Sequence, residues 1–305
     1  ECSMNTLLET DFDIVIAGGG MIGISMALAI SSLDLRIAVI EKIERDHDKQ
    51  PSFDDRSTAL SRSSQSMFTA LGLWDEIRDA SKAIKTIHVS DKGRFGFSHI
   101  SAKEQEVEAL GYVVINRVLG DVLLNSVAKK KNIKLFCPAE ITSIEPHKDY
   151  CNVSFKSQSS KSKVSSQLLI VADGTNSSTR DYLGIGVKKT NYDQIAIIGN
   201  LLTEKPIDNR AFERFSESGP LALLPIENGR TAFIWILPTN KAENLLAATD
   251  EIFLSSMQET FGLRLGLFSN LGKRSSYPLA LTEAQRLYAS RSVVIGNAAN
   301  SLHPV

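Results

Sequence analysis

Gly18, Gly20 and Gly23 stand in the order G-x-G-x-x-G, and Glu41 follows Gly23 by 18 positions. Each residue type suits one task at a diphosphate. Gly18 permits a tight turn. Gly20 presents bare backbone that a pyrophosphate can approach. Gly23 allows a helix to pack close to its sheet. The first N–H groups of such a helix have no partners in the chain, and its dipole places positive charge there, so an anion is welcome. A carboxylate at the position of Glu41 can accept the hydroxyls of an adenosine ribose. A free 2′-hydroxyl is then implied, which favours FAD or NAD over NADP. Taken alone, the glycines also fit a plain turn in some other α/β protein.

These residues need a strand, a turn, a helix and a second strand. The sequence supplies them in that order: apolar Ile14–Ala17, the glycines, a helical apolar pattern from Ile24 to Ile30, and a second strand from Arg36 to Ile40 that ends in Glu41. Further along, Asn116 precedes the apolar-periodic stretch Val118, Leu119, Val122, Leu123 and Val127 and reads as a helix N-cap. Met67 and Trp74 fall at helical spacings that predict core positions. Short strands are expected near Lys134–Phe136, Ile141–Ile144 and Asn152–Phe155, and the Ser/Lys-rich tract 157–166 reads as a hairpin loop. Gln167–Ala172 predicts a strand that runs into Asp173-Gly174, followed by a short helix over Ser177–Leu183. From Tyr192 onward the pattern becomes antiparallel: Ile195–Leu202, Leu221–Pro225 and Thr231–Leu237, with Asn228-Gly229 as a hairpin turn. A helix over Thr249–Phe261 and a buried strand over Ser292–Ile295 close the order.

The 305 residues are 43% hydrophobic and 23% charged, with a net charge of −1. That is a globular composition with room for two domains. Near-neutral charge offers no electrostatic footprint for nucleic acid. Cys2, Cys137 and Cys151 lack metal or redox spacing and suit a reducing compartment. The run Ile14–Ile30 follows Glu9, Asp11 and Asp13, carries four glycines and is short for a membrane span, so neither a signal peptide nor a spanning helix is expected. His47, His88, His99 and His147 show no sequence partner and are expected on the surface.

Two further stretches complete a pattern. Asp173-Gly174-Thr175-Asn176-Ser177-Ser178-Thr179-Arg180 and Gly296-Asn297-Ala298-Ala299, the latter followed by His303-Pro304, join Arg56-Ser57-Thr58-Ala59-Leu60 and Gly219-Pro220-Leu221-Ala222-Leu223-Leu224-Pro225. Together with the glycines they resemble, in order and over essentially the whole chain, the FAD-dependent aromatic hydroxylases related to p-hydroxybenzoate hydroxylase. Within that family the resemblance is greatest to the ubiquinone-biosynthesis group. It implies an α/β fold with a Rossmann-like FAD-binding domain (11–85, 110–188 and 280–305) and an inserted antiparallel-sheet substrate domain (86–109 and 189–279).

The resemblance assigns the pyrophosphate and adenosine of FAD to Gly18, Gly20, Gly23 and Glu41. It assigns the phosphate and ribityl region to Arg56 and Asn116, and both FAD and a transient NADPH or NADH to Asp173 and Gly174. Asn297 stands where most relatives carry Asp against the ribityl chain, and Asn300 replaces a common His. His303 reads as structural. Arg56 alone would also suit a surface ion pair, and Asp173-Gly174 alone a strand-end turn. The implied reaction is hydroxylation of a polyprenyl phenol by O2 through a C4a-hydroperoxyflavin, with no catalytic side chain identified and no metal needed. The alternatives are a flavin-dependent reductase or dehydrogenase of the same fold, or an idle FAD-fold scaffold in a biosynthetic complex. A cytoplasmic protein with peripheral contact at the inner membrane surface is expected. In the family a glycine-rich loop and helix follow the Leu-His-Pro segment, so the polypeptide ending at Val305 is expected to retain FAD and activity poorly.

Overall fold

The computed structural model describes residues 10–44, 56–158 and 160–303. In chain order the first elements are β1 (Phe12–Ala17), α1 (Met21–Ile30) and β2 (Ile37–Ile40), then β3 (Ser57–Ser61), α2 (Arg62–Ala70), α3 (Trp74–Asp79), β4 (Ser81–Ile84), β5 (Thr86–Asp91), β6 (Phe97–Ser101) and β7 (Gly111–Ile115). There follow α4 (Asn116–Ala128), β8 (Ile133–Phe136), β9 (Glu140–Pro146), β10 (Cys151–Ser157), β11 (Ser160–Val171), α5 (Ser178–Tyr182) and β12 (Val187–Thr203). The last are β13 (Arg210–Phe215), β14 (Leu221–Pro225), β15 (Thr231–Pro238), α6 (Thr239–Ala247), α7 (Asp250–Phe261), β16 (Phe268–Ser269), β17 (Ser275–Ala284), β18 (Tyr288–Ala289), β19 (Ser292–Val294) and β20 (Asn300–Ser301).

Contacts divide the chain into two compact units. The first holds the described residues up to 44, 120–190 and 281–302. Its sheet runs β18-β19-β11-β1-β2-β8, and the five strands from β19 to β8 are parallel. Ile14–Ala17 of β1 and the whole of β2 read as unbroken apolar runs because both their faces are covered, as parallel interior strands require. Their core joins Val15, Ala17, Ala38, Ile40, Leu169, Val171 and Val294. The tract after Ser157 is not a loop. β11 begins at Ser160 and pairs antiparallel with β10 from Ser157↔Ser160 to Cys151↔Ser166. Its alternating Ser and Lys side chains hid a strand whose backbone ladder does not depend on apolar side chains.

The second unit holds 56–119, 191–280 and 303. Its large sheet runs β17-β12-β15-β14-β13-β5-β6. One face packs Phe212, Leu221, Leu223, Phe233, Trp235 and Leu237 against Phe253, Met257 and Phe261 of α7. The Asn228-Gly229 turn links β14 to β15 with φ of +60° and +70°, as the sequence predicted. The small sheet β3-β7-β4 belongs here too: Ile84 and Val113 pack with Ala211, Ile226 and Ala232. The contacts thus group 56–85 and 110–119 with the second unit, whereas the sequence reading grouped them with the first. Trp74 is buried, but Met67 is 42% exposed and lies outside the core that its spacing predicted. The sequence also placed His88 on the surface. It is buried instead, because β5 sits inside the sheet between β13 and β6. His47 lies outside the described residues. Among the described residues no helix is long and apolar enough to cross a membrane.

Candidate cofactor site

The parallel register brings the ends of three distant segments level. Ala17 pairs with both Ile40 and Val171, and Val171 pairs with Val294. Backbone bonds carry the alignment one step further: Gly18 N donates to Ile40 O (2.8 Å), Ala172 N to Ala17 O (2.8 Å) and Ile295 N to Val171 O (2.9 Å). Gly18–Gly23, Glu41, Asp173-Gly174 and Asn297 therefore leave the sheet at one carboxyl edge, where open α/β sheets bind their ligands.

The glycines are required there for lack of space. Gly18 has φ +99°, and a Cβ on it would lie 2.6 Å from Ala172 O and 2.8 Å from Asp173 Cα. A Cβ on Gly23 would collide with Gly18 O and stand 3.4 Å from Ile16 Cγ2, so α1 can lie this close to β1 only with glycine at that position. Gly20 is the N-cap of α1 in extended backbone and supplies no side-chain cap, which leaves the first N–H groups of the helix to an outside acceptor. Glu41 is held at the end of β2. Its Oε2 accepts Gly19 N–H at 2.5 Å and its Oε1 accepts Ile43 N–H at 2.8 Å.

Asp173 is half-buried. Its Oδ2 accepts Thr179 N–H at 3.2 Å, while Oδ1 is buried and has no hydrogen-bond partner among the described residues. Such an oxygen is costly unless a ligand donates to it. Asn297 is exposed, in a short turn at Gly296–Ala298. A Cβ on Gly296 would stand 3.0 Å from Ile22 Cγ2, which puts this turn against the first turn of α1.

One residue here was quoted in the sequence motif without a role. Arg180 is 4% exposed, and its Nη1 donates to Thr175 O (3.2 Å) and Ala298 O (2.9 Å). It ties the turn after β11 to the turn after β19. A buried arginine shows in sequence only as one more charge, so spacing gave no signal of this bridge.

Arg56 and Asn116 lie in the second unit, where Asn116 N donates to Arg56 O at 2.8 Å. Asn116 is buried, and its Oδ1 accepts the Thr58 hydroxyl at 2.6 Å. His303 contacts Gln194 Oε1 at 3.2 Å and meets Tyr192 edge-on, in keeping with a structural part. Among the described residues no cluster of His, Cys, Asp and Glu could hold a metal ion.

The cradle without side chains, the open helix N-terminus, the acid at the end of β2 and the unsatisfied Asp173 oxygen fit the diphosphate and polyol of FAD. The family model described as FAD binding domain matches residues 11–305. The chain is 30% identical over 293 residues to the ubiquinone hydroxylase UbiL of Rhodospirillum rubrum, covering 96% of this chain and 67% of that one. It is 26% identical over 298 residues to the 3-demethoxyubiquinol 3-hydroxylase of Escherichia coli, covering 96% and 74%. Among solved structures, the p-nitrophenol 4-monooxygenase PnpA of Pseudomonas putida superposes with a TM-score of 0.79 over 96% of this chain and 74% of that one, at 15% identity. The chain belongs to the FAD binding domain family and, within it, to the FAD-dependent monooxygenases.

Proposed function

We propose that this protein hydroxylates the phenolic ring of a polyprenyl intermediate in ubiquinone biosynthesis, with FAD as cofactor, O2 as oxidant and NADPH or NADH as reductant. The observation that carries this reading is the meeting of the glycine loop, Glu41, Asp173 and Asn297 at one sheet edge, in a chain whose relatives are named ubiquinone hydroxylases. The bound flavin would supply the electron transfer and oxygen activation.

The residues bind and orient. The N–H groups at the start of α1 receive the diphosphate, and Glu41 accepts the ribose hydroxyls. Asp173 Oδ1 and the Asn297 amide take the ribityl chain, with Gly174 beside them. Arg56 and Asn116 are proposed as phosphate and ribityl contacts on the sequence pattern alone. Peripheral contact with a membrane, or with a biosynthetic complex, would deliver so apolar a substrate.

The test is incubation of the FAD-loaded protein with a prenylated phenol, NAD(P)H and 18O2. A product heavier by one labelled oxygen atom supports the proposal. NAD(P)H oxidation without labelled product points to a reductase, and neither NAD(P)H oxidation nor labelled product, or a protein that takes up no FAD when it is supplied, points to a scaffold.

A further inference from the structure

The β5–β6 hairpin of the second unit turns at Lys92-Gly93-Arg94-Phe95-Gly96, and β6 is the outermost strand of its sheet. Gly93 and Gly96 have φ of +82° and +104°, and a Cβ on either would meet nothing within 4 Å, so the tip stands clear of the fold. Phe95 on this tip is fully exposed. A second segment lies beside it. The Lys92 ammonium pairs with Glu259 of α7 at 3.2 Å, and the guanidinium of Arg264, in the loop after α7, lies 5.8 Å from the centre of the Phe97 ring. Phe97, Leu263 and Leu267 are 61%, 67% and 62% exposed. Four large apolar side chains thus stand in water on two neighbouring segments of one unit. Single exposed apolar residues are ordinary, but a group of them marks an interaction surface.

Charge and shape indicate the partner. The ion pairs Lys92–Glu259 and Arg94–Asp91 are exposed and hold little, so their cations can turn to other anions. Glu204, beside the loop, already accepts the Leu267 N–H at 2.9 Å. The field around the hairpin is positive: burial first, and then charges that include Arg264, Arg214 and Arg210, push the His88 imidazole of β5 down to about 4. Apolar side chains set among Lys and Arg match the boundary between acyl chains and anionic headgroups. Long cationic side chains reach the phosphates there while rings and leucines enter the apolar layer. A projecting point needs a matching pit in a folded partner, whereas a fluid bilayer closes around it.

We propose that the β5–β6 tip and the Gly262–Leu267 loop dock this protein on an anionic lipid surface. This rests on the reading of the substrate as a polyprenyl phenol, which dissolves in a bilayer. Docking holds the protein at the phase that carries such a substrate.

The experiment sediments the FAD-loaded protein with vesicles of equal parts phosphatidylcholine and phosphatidylglycerol, and with vesicles of phosphatidylcholine alone. The wild type is expected to bind the mixed vesicles about tenfold more tightly than the neutral ones, and to lose most of that preference in high salt. Phe95→Ser should weaken binding to mixed vesicles about tenfold, and Phe95→Ser with Leu263→Ser about a hundredfold. Leu33→Ser, at a comparably exposed leucine of the first unit, should leave binding unchanged. All of these should keep the wild-type urea midpoint, since the side chains already stand in water. Phe95→Trp places a probe on the tip, because Trp74 and Trp235 are buried. Its emission should shift to the blue on mixed vesicles and be quenched by brominated lipid. A Phe95→Ser variant that binds like the wild type, a Leu33→Ser variant that weakens as much, or Phe95→Trp emission that does not move overturns the assignment. So does a wild type that binds neither vesicle or both equally. A wild type that ignores vesicles yet elutes as a dimer, which Phe95→Ser splits, gives the surface to a second copy instead. Vesicle binding is read without turnover, so a protein that docks but hydroxylates no phenol supports the surface and overturns only the activity.

Discussion

Gly18→Ala and Gly174→Ala make a matched pair, because the structure separates the two penalties that a methyl group can meet. Both glycines have positive φ, +99° and +87°. A left-handed backbone costs an alanine about 1–2 kcal/mol. At Gly174 that is the whole cost, since a Cβ there meets nothing within 4 Å. At Gly18 the Cβ also lies 2.6 Å from Ala172 O and 2.8 Å from Asp173 Cα. Both are backbone atoms locked by the β1–β11 ladder, so neither can swing aside as a side-chain tip would. Overpacking of this kind adds roughly 1–3 kcal/mol. Gly18→Ala should therefore lose about 2–5 kcal/mol and Gly174→Ala about 1–2 kcal/mol. The losses are large against a typical native stability of about 5–15 kcal/mol. Urea unfolding followed by circular dichroism reads both. Gly18→Ala should also weaken FAD in a fluorescence titration, since relief of the overlap must move the loop or Asp173. Equal destabilisation of the two variants would refute the reasoning.

Other substitutions test the same site and the sheet beyond it. Glu41→Ala should weaken FAD by about 1–3 kcal/mol in the same titration, with Glu41→Gln costing less, because a ribose loses its charged acceptor and Gly19 N–H its partner. Arg180→Ala should lower urea stability by roughly 2–4 kcal/mol, as the Thr175 and Ala298 carbonyls lose their donor, and Arg180→Lys should recover part of it. His88 is pushed down to about 4, first by burial and then by Arg264 and its neighbours. Between about 4 and the ordinary value of 6.5 the unfolded chain binds a proton that the fold refuses, so stability should be full above pH 6.5 and decline as pH falls toward 4. His88→Gln should flatten that decline in the urea midpoint.

The first unit was legible in the sequence because its strands are buried on both faces and carry no competing pattern. The expected strand Arg36–Ile40 is β2 with one residue too many, and Ile14–Ala17 is β1 short of its first two residues. The glycines announced the turn, since no other residue fits where a Cβ would strike backbone. Legibility failed where side chains do not advertise their surroundings. Ser160–Ser166 forms a ladder in which Val164 is the one apolar residue. His88 is polar yet interior. Arg180 bridges two carbonyls across 118 positions of chain, which no local window reveals. Glu213 in β13 holds a buried oxygen without a hydrogen-bond partner among the described residues, which its sequence neighbours do not betray.

The pairing of β1 with β11 also bears on when the cofactor platform can exist. Asp11 and Ser165, hydrogen-bonded at the start of that ladder, are 154 positions apart, and β19 must still join the far side of β11. At a synthesis rate of about 5–20 residues per second, β1 waits on the order of ten seconds for its partner, and several seconds more pass before Ser292–Val294 emerges. During that interval β1 and β2 offer apolar faces and unpaired edges with no sheet to cover them. The glycine loop is made first but becomes a platform last. FAD capture is thus expected to follow synthesis of β19, and the exposed early strands mark where a chaperone would be needed.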